Sequence, residues 1–292
     1  MIPARLNMRF PGERVKAVTV SYDDQTDQDI RLIGILDKNG MKGTFNISTG
    51  LYSPEGKQFK AGDFCRRMTR ERAIELYKNS PHEVAVHGYS HPYLTQMPSS
   101  AVTREIFADR FGLESDFETD VRGMAYPFGD ASYSEDVANV LRATGIVYSR
   151  MTSSTRRFRL PADWLRWYPT CKHTDGQLME LAEKFVSDSV NKEPMLFYLW
   201  GHSFEFEADD NWNVIEEFCE FMGNREDIWY ATNIEIYDYA KAYERLVWTA
   251  DMRRVYNPSA IPVSFQYHTI APDGEIKKTY TVGAGEALVL TQ

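Results

Sequence analysis

Apolar positions along this chain fall into short runs, separated by stretches in which they recur every three or four residues. "KAVTVSYDD" sets Val18, Val20 and Tyr22 in alternation and stops at two aspartates, the pattern of a strand. Ile30, Ile33 and Leu36 follow at helical spacing, with Thr26 or Asp27 as the expected cap and Gly40 just past the end. The same alternation predicts a strand over 43–48, a helix over 70–78, a strand over 83–86 and a helix over 101–111. It continues with a strand over 122–126, a helix over 134–145 and a strand over 146–149. Residues 150–172 carry less pattern, with one short strand expected at 165–168. Asp175 then caps a helix bearing Leu178, Leu181 and Phe185, and "PMLFYLWGH" is the most apolar strand of the chain. A helix over 213–222, a strand over 228–231 and a helix through Ile236, Ala240 and Tyr243 end the series.

Seven or eight strands alternating with helices imply parallel strands joined by right-handed crossovers, and a chain of this length suits closure better than an open sheet. The expected fold is α/β, an irregular (β/α)7–8 barrel over residues 1–246. Over 247–292 the pattern changes to β-like runs, "VSFQYHTI" and "KKTYTVGAG", around a turn at Pro272, Asp273 and Gly274. That tail reads as a small antiparallel appendage.

Composition narrows the partners. The 292 residues carry a net charge of -9, with lysine and arginine scattered, so no basic surface is available for nucleic acid or an anionic membrane. No window approaches 18 consecutive apolar residues, and residues 1–11 hold no signal-like run. Cys65, Cys171 and Cys219 are odd in number and lack C-x-x-C spacing, so reduced thiols and a cytoplasmic location are expected. Nothing in the pattern sets an oligomeric state.

In a parallel barrel the loops after the strands converge on one mouth, and chemistry gathers there. Asp23 and Asp24 end the first strand, His87 and His91 follow the third, "YPFG" ends the fourth, and His202 ends the apolar strand. In "HGYSHP", Gly88 and Pro92 argue for a turn that aims both imidazoles inward. Two neutral imidazoles and the carboxylate of Asp24 suit a divalent transition ion, zinc first, with cobalt, manganese or nickel as alternatives. Asp23 is then left to take a proton from water, and His202 reads as a general acid. Each also has a structural reading: the histidines as satisfied core residues, the aspartates as helix caps, and the acidic run after His202 as a solvated loop. Neither "GYSHP" nor "GHSFE" completes G-x-S-x-G, and H-E-x-x-H and Walker A patterns are absent.

These residues resemble the polysaccharide deacetylases of carbohydrate esterase family four, the NodB-homology family. "SYDDQ" looks like its T-F-D-D-G motif, "HGYSH" like H-[ST]-x-x-H, "AYPFG" like R-x-P-[FY], and "LWGH" like the terminal L-x-H, in the same order along the chain. The resemblance implies an irregular barrel in which Asp23 is the base, Asp24, His87 and His91 bind metal, and His202 is the acid. It also implies an oxyanion and substrate-binding wall at Tyr126, Pro127 and Phe128, with the Phe128 backbone N–H as donor. The nearest match to the fourth motif is "ADWLRW", which would put Trp167 in the pocket. Two departures stand out. Gln25 replaces a glycine, and Ala125 occupies the place of an arginine that pairs with the catalytic aspartate, leaving Arg31, Arg122 and Arg166 as candidate replacements. The expected activity is removal of an N- or O-acetyl group from a carbohydrate. Hydrolysis of a cyclic amide or imide, and non-catalytic carbohydrate binding, are the alternatives.

Overall fold

The computed structural model describes residues 5–189, 193–271 and 274–290. Its central strands are β2 (Lys16–Asp23), β3 (Gly43–Ile47), β4 (Glu83–Val86), β5 (Gly123–Ala125), β6 (Tyr148–Arg150), β7 (Cys171–Lys172), β8 (Met195–His202) and β9 (Ile228–Tyr230). A strand before them, β1 (Arg5–Arg9), lies outside that sheet. The helices are α1 (Asp29–Lys38), α2 (Arg70–Tyr77), α3 (Ser99–Phe117), α4 (Glu135–Ala143), α5 (Leu178–Ser187), α6 (Ser203–Ala208), α7 (Asn213–Met222) and α8 (Asn233–Glu244).

The sheet runs in the order β6-β5-β4-β3-β2-β8-β7, every pairing parallel, and β9 lies beside the first half of β2. Residues 167–172 close the ring. Trp167 bridges to Arg150 of β6, while Cys171 and Lys172 pair with Leu199 and Trp200 of β8. All eight residues of β2 are buried because helices cover the outside of the sheet and side chains fill the inside. Val18, Val20 and Tyr22 pack outward with Leu32 and Leu36 of α1. The alternate positions face the interior, where Thr19 bonds Asn233 and Ser21 bonds Asn46, and this phase carries Asp23 inward as well.

The structure adjusts several sequence expectations. Neither Thr26 nor Asp27 caps α1; Gln28 holds that position without a side-chain bond, and Thr26 shares a hydrogen bond with Ser203 instead. The strand expected at 165–168 is a 3-10 turn, Trp164–Arg166, started by the Asp163 side chain accepting from Leu165 N–H. The run after His202, read as a solvated loop, is the helix α6.

The C-terminal strands are β10 (Val247–Trp248), β11 (Arg254–Tyr256), β12 (Val263–Ala271), β13 (Gly274–Val282) and β14 (Ala287–Val289). They form two small antiparallel sheets, β1-β12-β13 and β10-β11-β14. A division at residue 246 thus omits one partner, since β1 comes from the other end of the chain. Pro272 and Asp273 of the expected turn lie outside the described residues, while the strands flanking them pair down to Ala271 and Gly274.

Candidate active site

At the C-terminal ends of β2, β4 and β8, four of the expected residues come together: Asp23 and His202 as the last residues of their strands, Asp24 and His87 one residue beyond theirs. Asp23 Oδ2 lies 3.8 Å from His87 Nε2 and 3.8 Å from His202 Nε2, and Asp24 Oδ2 is 4.0 Å from His202 Nε2. His91 completes the group from the turn after β4, its ring centroid 4.7 Å from that of His87. One donor atom each from Asp24, His87 and His91 fall within 4.8 Å of one another, close enough to share a single ion.

The turns that aim these side chains are strained. Asp24, Gln25 and His91 all take positive φ, at 80°, 40° and 53°. At Gln25, where a glycine would be at ease, the side chain supplies the compensation: Nε2 donates to Ser48 O at 2.9 Å and Oε1 accepts from Ser48 N–H at 3.2 Å, binding the turn to the end of β3.

The histidines fit a cation. His87 Nδ1 sits 2.9 Å from the Ala125 carbonyl, which can only accept, so the proton is on Nδ1 and the Nε2 lone pair faces the cluster. Asp109 supports the same loop from α3 by accepting from His87 N–H at 3.0 Å and Thr49 N–H at 2.7 Å. Burial, helped by the neighbouring His87, lowers the pKa of His91 to about 4, so its ring is neutral near pH 7 and free to donate a lone pair. Burial works against charge on Asp24, but His87, Arg67 and His202 outweigh it and hold this carboxyl below its usual range.

Asp23 has a different setting. Its Oδ1 accepts from Asn46 Nδ2 at 2.8 Å, and its Oδ2 accepts from the guanidinium of Arg150. Burial alone would raise its pKa; Arg150 first, then His87 and His202, bring it down to about 2, so it is ionised at every ordinary pH. Arg150 is fully buried, with its guanidinium 4.4 Å from the centre of the Trp200 ring. None of the arginines expected to replace the one missing at Ala125 is here. Arg31 pairs with Glu216, Arg122 pairs with Asp238, and Arg166 lies over Tyr133. Arg150 instead is the register partner of Ala125 on the adjacent strand, so the guanidinium has moved one strand along the barrel. Its signal was available in the sequence: an arginine directly after the apolar run "IVYS", at a strand end that the expected boundary at 149 cut off.

His202 is oriented from below by Glu205, one turn on in α6, whose Oε1 is 3.3 Å from Nδ1. Glu205 also meets Lys172 at 2.6 Å and His173 at 3.1 Å. Burial opposes protonation of His202, yet Glu205 and then Asp23 prevail and raise its pKa. Glu205 is thus part of the site.

The expected wall divides. Phe128 is 46% exposed at positive φ, stacked on Tyr93 at 3.8 Å and set against His91 at 4.6 Å, an aromatic ledge at the mouth. Pro127 lies beside Gly88 of the histidine turn. Tyr126 and Trp167 are each 1% exposed. Tyr126 donates its hydroxyl to Leu165 O, and Trp167 packs edge-on against Tyr148 and Trp164. Neither ring has a face to offer a ligand, which corrects the expectation for both: they are apolar filling behind the site.

Comparison with known proteins agrees with the motifs. Residues 12–149, which carry Asp23, Asp24, His87 and His91, match the profile of the polysaccharide deacetylase family. No curated protein matches the sequence. Among solved structures, a Mycobacterium smegmatis protein assigned to the polysaccharide deacetylases superposes with a TM-score of 0.55 at 15% identity, over 84% of this chain and 95% of that one. It establishes a shared fold, the barrel of these deacetylases. A family 4 carbohydrate esterase from Streptomyces lividans, solved with acetate, aligns at 13% identity and a TM-score of 0.45, over 74% and 91% of the two chains. A family 4 pseudoenzyme from Bacillus anthracis aligns at 16% identity and 0.46, over 80% and 69%.

Proposed function

We infer that this protein is a divalent-metal-dependent deacetylase acting on an acetylated carbohydrate. The match of residues 12–149 to the polysaccharide deacetylase profile supports deacetylation in general. The observation that carries the metal-dependent reading is the convergence of Asp24, His87 and His91 beside an ionised Asp23. The donor set, one carboxylate and two imidazoles with the Ala125 carbonyl accepting from His87 Nδ1, suits zinc first among the transition ions. A bound divalent ion would lower the pKa of water and polarise the acetyl carbonyl.

The chain's own groups do the rest. Asp23 accepts the proton of the attacking water, and its inward phase on β2 fixes where that proton goes. The Phe128 N–H, in the turn after β5, is the donor for the developing oxyanion. His202, made more basic by Glu205, donates a proton to the leaving nitrogen or oxygen. Tyr93 and Phe128 supply a flat apolar surface against which a sugar ring can stack. The absence of arginine at position 125 favoured a binding protein without turnover; Arg150 on Asp23 removes that argument.

The test is acetate release from acetylated chito- and xylo-oligosaccharides, run beside cyclic ureides, with elemental analysis of the wild type and of His87→Ala and His91→Ala. One equivalent of metal, lost in both variants along with acetate release, supports the reading. Unchanged metal content in the variants, or turnover of ureides alone, overturns it.

A further inference from the structure

Asp24 has a second cation. Arg67 Nη2 lies 2.5 Å from Asp24 Oδ1, with the guanidinium side chain 26% exposed and the carboxylate 10% exposed. This contact is built into the fold rather than made by a wandering surface side chain. Residues 25–27 and 66–68 run antiparallel: Thr26 bridges Arg67, Asp27 N–H donates to Arg66 O at 2.9 Å, and Met68 N–H donates to Gln25 O at 3.0 Å. Arg66 is held from outside by two 2.8 Å bonds to Glu207 of α6. The strap therefore fixes the Arg67 backbone against the strained turn that presents Asp24.

Asp24 thus offers one oxygen to Arg67 and keeps Oδ2 toward His202 and the cluster. Any divalent ion at Asp24, His87 and His91 must share that carboxylate with a fixed positive charge a few ångströms away. Like charges at such a distance at a partly screened site repel strongly enough to change a binding constant about tenfold. Arg67 also fixes the Asp24 rotamer, which favours binding; but the strap and the turn at Gln25 hold the backbone with or without the guanidinium, so repulsion is the larger effect.

Resting on the metal reading above, we propose that Arg67 is a resident counter-charge on the metal ligand Asp24. It neutralises that carboxylate when no ion is present and weakens the site's hold on its ion. It acts through Asp24 and is a positioning residue.

The experiment is competition with a chromogenic chelator for zinc and for cobalt, at fixed pH and ionic strength. The proteins are the wild type, Arg67→Met, Arg67→Gln, Arg67→Lys and His91→Ala. Both neutral variants should bind about tenfold tighter than wild type and Arg67→Lys within about threefold of it, while His91→Ala loses the site. Thermal unfolding with and without zinc gives a second readout. The metal-free neutral variants should melt below wild type, and zinc should raise their Tm by a larger increment than it raises the wild type's. Mere structural damage would weaken binding and shrink that increment. If the wild type binds one equivalent and the neutral variants bind no tighter, the Arg67 proposal is overturned and the metal site stands. If the wild type binds no metal, both fall.

Discussion

The two ends of the barrel each bury a carboxylate, with opposite results. At the C-terminal rim Asp23 has a guanidinium against it and is driven down to about 2. At the opposite rim Glu83, at the start of β4, is surrounded by neutral donors: Tyr148 hydroxyl at 2.6 Å, Thr44 hydroxyl at 2.9 Å and Ile234 N–H at 2.9 Å. Burial pushes Glu83 up to about 7, and those bonds only moderate it. Three hydrogen bonds do not replace one buried cation. Cations, Arg150 first, decide which end holds a permanently ionised carboxylate and which holds one that burial pushes toward its protonated form.

The largest effect should come from removing the charge proposed to take the proton from water. Asp23→Asn should lower turnover roughly 10²- to 10⁴-fold while the metal content stays at wild-type level, as read by acetate release and elemental analysis. Loss of the ion would make Asp23 a ligand instead. Next, Arg150→Met leaves the Asp23 carboxylate buried beside no guanidinium, at an expected cost of about 3–5 kcal/mol in denaturant unfolding. Adding Ala125→Arg to Arg150→Ala should recover part of the loss, because positions 125 and 150 are register partners facing the same carboxylate; no recovery would mean that the guanidinium must approach from β6.

Glu83 sharpens the contrast through pH. Its folded pKa lies above the unfolded value of about 4.3, so the folded state binds the extra proton and stability falls as pH rises from about 4 to 7. Asp23 has the opposite sign: its folded pKa is depressed, so its contribution is present above about 4 and is lost as pH falls toward 2. Glu83→Gln should therefore gain stability relative to wild type between pH 5 and pH 8, on the order of 1–3 kcal/mol. Asp29 and Asp109 are also raised to about 7, so the difference between the two proteins, rather than the wild-type curve, carries the comparison. The smallest effect on function should be that of Trp167→Phe: turnover within about twofold of wild type, with a modest loss of stability, since the ring packs in the core and faces no substrate.

How far the sequence discloses this molecule follows from how local each determinant is. The barrel is legible because strand and helix periods alternate strongly from Val18 onward, and Asp23, Asp24, His87, His91 and His202 are legible because each sits at a strand end beside a turn. Arg150 and Glu205 are less so. Arg150 acts on a residue 127 positions away, and which of the 33 cationic side chains reaches Asp23 depends on strand order and register. Glu205 looks like one more acid in an acidic run until α6 winds it beneath His202. Trp167 misleads for the opposite reason: its neighbourhood resembles a motif, while the 3-10 turn before it rotates the ring inward.

The closing segment at 167–172 has a kinetic corollary. Between β2 and β8 eight residue pairs are in register, whereas β7 contributes two, and Trp167 makes a single bridge on its other side. In a ring of parallel strands a seam with few ladder bonds breathes more readily than one with many, so amide hydrogens around Trp167 and Cys171 should exchange with solvent sooner than those of β2. Arg150 belongs to that seam. Each opening loosens the guanidinium paired with Asp23, so how long that buried ion pair persists is tied to how long the barrel stays shut.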